Sequence, residues 1–283
     1  MPNMIDTLDS IADGYAAIFS DVWGVVHNGV HPFEPAVDAL RRARARGIAV
    51  VLITNAPRPS AGVIEQLAAI GVARDCWDAI VTSGDVTRDL IRDGSRRILH
   101  IGPDRDMMLY DELDVELAEE FEAQAVVCTG LYDDEAETPE DYAELLMRLR
   151  ARDLPFICAN PDIVVERGDR LIWCAGAIAR DYAQLGGRTR IAGKPHRPIY
   201  EAAMRAAQGV LGRDVAKKDI LAIGDGVLTD IKGASDNGFD VLFVSAGIHA
   251  AEFGEAHAPE PGKLAAFLEK HGYGPVAVIP RLR

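Results

Sequence analysis

Four polar clusters follow apolar runs or lie close to them. They are Asp21, Thr54-Asn55, Lys194 within Gly193-Lys194-Pro195, and Asp225 with Asp230 within Gly224-Asp225-Gly226-Val227-Leu228-Thr229-Asp230. Three carboxylates offer hard oxygen atoms of the kind that hold a divalent cation. One lysine offers a compact positive charge. A cleft in which a lysine or a metal reversed the local sign would bind a phosphate. Each cluster alone has a plainer reading. An Asp after a strand is often a helix cap or turn former. Thr-Asn is a common turn, Gly193-Lys194-Pro195 suits a solvated loop, and Gly-Asp-Gly is a usual tight turn. Their order and joint occurrence carry the information.

The elements that must position them follow from hydrophobic pattern. Ala16 to Ser20 reads as a strand ending at Asp21, and Ile48 to Ile53 as a second ending at Thr54-Asn55. The second has no apolar–polar alternation, as expected of a strand covered by helices on both faces. Ala79 to Thr82, Asp219 to Ile223 and Val241 to Val244 read as further strands. Between them lie amphipathic stretches. One opens at Pro35 with Ala36, Val37, Leu40 and Ala43 on one face; another carries Val63, Ile64, Leu67 and Ile70 and stops at Gly71. Helices are also expected over Pro198 to Leu211 and Thr229 to Asn237. Alternating strand and helix predicts an α/β fold with a doubly wound parallel sheet. In such a sheet ligands bind beyond the carboxyl ends of the strands, where the clusters fall. The middle of the chain has its own strands, Ile98 to Ile101, Ala125 to Cys128 and Phe156 to Ala159, and a helix opened by Thr138-Pro139. The expected organisation is a core of residues 1–84 plus 188–283 with an inserted α/β domain over 85–187. Ser83-Gly84 and Gly186-Gly187 are the expected hinges, and Asp85 an expected helix cap.

Together the clusters resemble the haloacid dehalogenase superfamily. Their spacing is similar to its class IIA hydrolases, the group of sugar, nucleotide and 4-nitrophenyl phosphatases. The resemblance rests on Asp21-Val22-Trp23-Gly24-Val25, Leu52-Ile53-Thr54-Asn55, Thr82-Ser83-Gly84, Cys158-Ala159-Asn160-Pro161-Asp162, Gly193-Lys194-Pro195 and the Asp225 to Asp230 run. It implies a Rossmann-like core with an inserted C2-type α/β cap. It also implies a Mg²⁺-dependent phosphatase acting on a small phosphorylated metabolite. By position, Asp21 would be the nucleophile that becomes an aspartyl phosphate. Thr54, Asn55 and Lys194 would bind the phosphoryl group. Asp225 and Asp230 would join Asp21 and the Trp23 backbone carbonyl at the metal site. Asn160 and Asp162 would be cap residues that meet substrate or tie cap to core. The Asx-type turn around Pro161 is the alternative for that pair.

Trp23 departs from the family pattern, which has a second Asp there to protonate the leaving oxygen and activate water. An indole cannot exchange that proton, and general acid–base help is typically worth about 10²- to 10⁴-fold. Three readings follow. A slow or specialised phosphatase could take its proton from His27 or His196. A phosphate-ligand-binding protein could turn over little. A metal-independent dehalogenase would attack carbon, but Asp225, Asp230 and the cap argue against it.

Thirty basic and 44 acidic residues leave a formal net charge of −14, which opposes nucleic acid and anionic membranes. No apolar run reaches the roughly 18 residues of a membrane span, and Met1 to Asp6 has no secretory pattern. Cys76, Cys128, Cys158 and Cys174 are dispersed, which suits buried thiols in a reducing cytoplasm. The acidic run from Asp133 to Glu137 reads as a solvated loop. Trp173, Tyr132 and Tyr182 could stack on a ligand or belong to a core. The apolar run Val276 to Ile279 could add an edge strand or support a homodimer.

Overall fold

The computed structural model describes residues 3–168, 170–255 and 258–283. Six parallel strands form the main sheet, in the order Ala277–Ile279, Asp240–Val244, Ile220–Gly224, Ala17–Ser20, Ala49–Thr54, Ala79–Thr82. Successive side chains of a strand point to opposite faces. Ile18, Val50, Leu52, Leu221 and Ile223 therefore pack with Ala36, Val37 and Leu40 of the helix Glu34–Ala45. Phe19, Val51, Ile53 and Ala222 pack on the other face with Ile199, Tyr200 and Ala203 of the helix Arg197–Leu211. Two covered faces explain why these strands are apolar without alternation. Ser20 stands beside both Ile223 and Leu52, and Thr54 beside Thr82. This register brings the chain out at Asp21, Asn55 and Asp225 along one edge of the sheet. The run from Val276 does supply the last edge strand, with Val278 beside Phe243.

A second parallel sheet has the order Thr189–Ile191, Phe156–Cys158, Ala125–Cys128, Arg97–Ile101, Glu116–Leu117. The helices Ala143–Ala151 and Ala175–Gln184 cover it, burying Leu146, Leu149, Ile178 and Tyr182. Thr138 opens its segment as expected, in a reciprocal capping box with Asp141. An antiparallel hairpin, Val164–Arg167 with Arg170–Trp173, extends from this unit. The architecture is therefore α/β, with a doubly wound core and an inserted α/β cap. All four cysteines are buried free thiols.

Several local expectations need correction. The expected end of the cap at 187 is too early, because Thr189–Ile191 hydrogen-bonds to Phe156–Cys158 in the cap sheet. Gly84 is not a loop hinge. It lies in the first turn of the helix Ser83–Arg92, where a Cβ would stand 2.4 Å from the Arg58 backbone. Thr82 caps that helix by accepting from the Asp85 N–H, while the Asp85 carboxylate accepts from Ser60 N at the start of Ser60–Ile70. Ile64 is exposed, so that helix buries a narrower stripe of Val63 and Leu67. The segment from Thr229 begins as a π-type turn, Val227–Ile231, before Lys232–Asn237 becomes α-helical. Residues 1–2, 169 and 256–257, which the expected domain ranges include, lie outside the described residues.

Candidate active site

Asp21 follows the first strand, and its Oδ1 accepts from Val22 N at 2.7 Å. The Lys194 ammonium lies 2.6 Å from the same oxygen and 2.7 Å from Asp230 Oδ1. Asp225 follows the strand Ile220–Gly224, and Ile248 N donates to its Oδ2 at 2.9 Å. Asp230 sits on the π-type turn, and Gly226 N donates to its Oδ2 at 3.0 Å. One oxygen of Asp21, Asp225 and Asp230 can be chosen so that all lie within 4.8 Å of one another. Lys194 and all three aspartates are buried. Glycine makes this crowding sterically possible. A Cβ on Gly247 would stand 2.0 Å from Asp225 Oδ2, and one on Gly224 would stand 2.2 Å from Asp230 Cγ.

The electrostatics are unbalanced. Burial pushes the Asp21 carboxyl well above its ordinary range and Asp230 pushes it further, although Lys194 opposes both. Burial and then Asp230 push Asp225 up to about 7. Burial opposes the Lys194 charge, but Asp21, Asp230 and Asp162 outweigh it and hold the ammonium above its ordinary value. One ammonium cannot compensate three buried carboxylates. A hard divalent cation fits that deficit, because it would offset the charge and accept these oxygens as ligands.

Asn55 joins three parts of the site. Its Oδ1 accepts from Lys194 N at 2.7 Å, and its Nδ2 donates to Asp162 Oδ1 at 2.8 Å. The Asn55 side chain is thus engaged at both ends, positioning the lysine loop and tying the cap to the core. Thr54 Oγ1 accepts from Ala56 N at 3.2 Å. Asn160 Oδ1 accepts from Asp162 N at 3.1 Å. The Asx turn and the cap-to-core link are therefore both present.

A cavity of about 340 Å³ lies between core and cap, lined by Asp21, Trp23, Thr54, Asn55, Asn160 and Asp162 among others. A smaller one of about 60 Å³ is lined by Asp21, Trp23, Asp225 and Asp230. The Trp23 indole packs edge-on to the His27 ring at 4.9 Å between centroids. A Cβ on Gly29, whose φ is +86°, would stand 2.5 Å from that indole. Trp23 lines both cavities. His27 is buried beneath it, accepts from Gly29 N through Nδ1 at 2.8 Å, and is pushed by burial down to about 4. His27 and His196 line neither cavity, so neither stands where a leaving group would meet it.

Sequence reasoning missed the other polar wall. Arg58, Arg105 and Arg167 line the larger cavity together with Asp106 and Asp134. Asp134 is therefore no simple solvated residue, since it pairs with Arg105 and, at 2.8 Å, with Arg167. No local pattern marks three arginines so far apart in sequence. Trp173 also lines the cavity, Tyr182 belongs to the cap core, and Tyr132 stacks on Tyr142.

A family model described as haloacid dehalogenase-like hydrolase matches residues 18–116, and a second, HAD-hydrolase-like, matches residues 191–270. The first contains Asp21, Thr54 and Asn55, and the second Lys194, Asp225 and Asp230. The chain is 60% identical to a haloacid dehalogenase-like hydrolase from Brucella suis 1330. That crystal structure superposes with a TM-score of 0.90, over 99% of this chain and 100% of the other. It is 26% identical over 241 residues to the 5'-nucleotidase YutF of Bacillus subtilis (strain 168), covering 84% of this chain and 90% of the relative. It is 28% identical over 262 residues to the D-glycerol 3-phosphate phosphatase of Mycobacterium tuberculosis, covering 86% and 67%.

Proposed function

Because the chain belongs to the haloacid dehalogenase-like hydrolase family, with the class IIA arrangement of core and cap, we propose that it is a Mg²⁺-dependent phosphatase. Its substrate would be a small phosphate monoester whose leaving group departs without a proton from residue 23. The carrying observation is Lys194 Nζ at 2.6 Å from Asp21 Oδ1 within a cluster of three buried carboxylates.

In this reading residues 1–84 with 192–283 form the core and 85–191 the cap. Thr54 and Lys194 hold the phosphoryl group, and Asn55 holds the lysine loop in place. The Asp21 carboxylate attacks phosphorus, a P–O bond to Asp21 forms, and the P–O bond to the leaving group breaks. The leaving oxygen departs with the electron pair. Water then attacks the same phosphorus, the aspartyl bond breaks, the water proton passes to solvent, and Asp21 is regenerated. Asp21, Asp225, Asp230 and the Trp23 carbonyl would hold Mg²⁺. That ion supplies charge neutralisation between the carboxylate and the phosphate dianion. Lys194 contributes to the same neutralisation from its contact with Asp21.

Trp23 also favours a second reading, a phosphate-ligand-binding protein with little turnover, since it brings no acid to the leaving group. Phosphate release from p-nitrophenyl phosphate separates the two, because p-nitrophenolate needs no protonation. Mg²⁺-dependent release is expected, lost by at least about 10³-fold in Asp21→Asn. An Asn variant as fast as the parent would remove Asp21 from the role of nucleophile. Saturable phosphate-ester binding without any release would establish the second reading.

A further inference from the structure

We propose that Arg58, Arg105 and Arg167 form a subsite for a carboxylate carried by the leaving group, so that the substrate is a small phosphate monoester that is also a carboxylic acid. The inference rests on the phosphatase reading and adds its substrate class. The three guanidiniums come from separate elements. Arg58 lies in the loop after Ala49–Thr54, Arg105 in the 3-10 segment Asp104–Tyr110, and Arg167 at the end of Val164–Arg167. All three line the cavity that Asp21 and Thr54 also line.

Their charges are incompletely matched. Asp134 is shared between Arg105 and Arg167, and Glu135 is shared between Arg167 at 3.5 Å and Arg170 at 3.1 Å. Arg58 donates to Gln66 Oε1, a neutral acceptor, and among the described residues its nearest carboxylate, Asp106, stays 3.8 Å away. The Arg58 side chain is partly buried, which works against its charge; Asp106 supports that charge, and Arg105 and Arg167 oppose it. A partly buried, loosely paired guanidinium gains from one further anion. With Arg170 and Glu135 included, as their ion pairs require, four guanidiniums among the described groups of this wall face the three carboxylates Asp106, Asp134 and Glu135. That leaves one positive charge, which suits a monoanionic carboxylate better than a second phosphate dianion. Val165, Ile172, Trp173 and Trp23 give the same cavity apolar surface for the short segment joining the two anionic ends. Its volume of about 340 Å³ is at the small end for a ligand site.

Calorimetry in Mg²⁺ with the non-hydrolysing Asp21→Asn protein tests this with two matched probes, 3-(phosphonooxy)propanoate and propyl phosphate. The carboxylated ester should bind at least about 10-fold tighter. Adding Arg58→Gln or, separately, Arg167→Gln should bring that ratio toward one. Equal binding of the two esters overturns the subsite, as does a ratio that neither arginine variant changes. Tighter binding of propane-1,3-diyl bisphosphate than of the carboxylated ester overturns the choice of a carboxylate. If the parent hydrolyses p-nitrophenyl phosphate while neither probe binds, the subsite fails and the phosphatase reading stands. If nothing binds and nothing is hydrolysed, both fail.

Discussion

Two residues beyond Asp21, the Trp23 indole is held between the His27 ring and the backbone of Gly29, and nothing in that seat depends on a proton. Trp23 lines the cavity without filling it, since space remains beside Asp21 and Thr54. In the phosphatase reading it would constrain which leaving groups depart rather than whether a phosphate enters. Trp23→Asp places a carboxyl where a leaving oxygen can take a proton. Turnover of an alkyl phosphate should rise by at least about 10-fold, with p-nitrophenyl phosphate changing much less. Trp23→Ala, which opens the same space without an acid, should not reproduce that difference. Equal effects of Asp and Ala on both esters would make residue 23 a matter of space alone. The substitution itself was plain in the sequence, because the motif around Asp21 is short and contiguous. The fate of His27 was not. Whether a histidine faces a cleft or a core depends on how the turn after Trp23 folds back, and residue type does not encode that.

At the scale of elements, the parallel register aligns the strand ends, and the turns after them close to within hydrogen-bond distance. Ile220–Gly224 ends at Asp225, and the turn after Asp240–Val244 brings Ile248 N to the Asp225 carboxylate at 2.9 Å. Gly247 permits this approach, since any side chain there meets Asp225 Oδ2 at 2.0 Å. Gly247→Ala should displace that carboxylate and raise the Mg²⁺ concentration for half-maximal activity by about 10-fold, an effect of the size seen for groups that support metal ligands. A Mg²⁺ titration of phosphate release checks it. An unchanged midpoint in a folded variant would mean that Asp225 does not set metal affinity. Five of the six core strands were legible because apolar runs covered on both faces leave a continuous signal, whereas Val276 to Ile279 read equally as an edge strand or a subunit contact. The hairpin Val164–Trp173 and the strand Thr189–Ile191 were not. Arg167, Arg170 and Arg190 interrupt segments of only three or four residues, too short for a period to emerge. The arginine wall shares that obscurity, because it exists only after the cap has folded over the core.

For the molecule as a whole, the site is a region where folding concentrates like charge, and stability should report it. Asp225 is pushed from an ordinary 3.8 up to about 7, chiefly by burial and then by Asp230. The folded state then binds more protons than the unfolded chain between roughly pH 4 and 7. This contribution to stability is fully present below the ordinary carboxylate value and is lost as pH rises through about 7. His27 acts with the opposite sign. Burial pushes it from 6.5 down to about 4, so its contribution is present above 6.5 and lost as pH falls. A raw melting curve mixes the two, whereas comparison with Asp225→Asn cancels the His27 part and leaves that of the carboxylate cluster. In EDTA the variant should melt higher than the parent at pH 8, by about 2–4 °C for each kcal/mol of relieved repulsion. The gap should close as pH falls toward 5, where the parent has protonated Asp225. Millimolar Mg²⁺ at pH 8 should reverse the order, because a cation bound only to the folded parent stabilises it by mass action and the variant has lost a ligand. A gap that persists at pH 5, or that Mg²⁺ leaves untouched, would show that the buried carboxylates are compensated by something other than protons or a divalent ion. The electrostatic basis for metal-assisted phosphoryl transfer would then be lost.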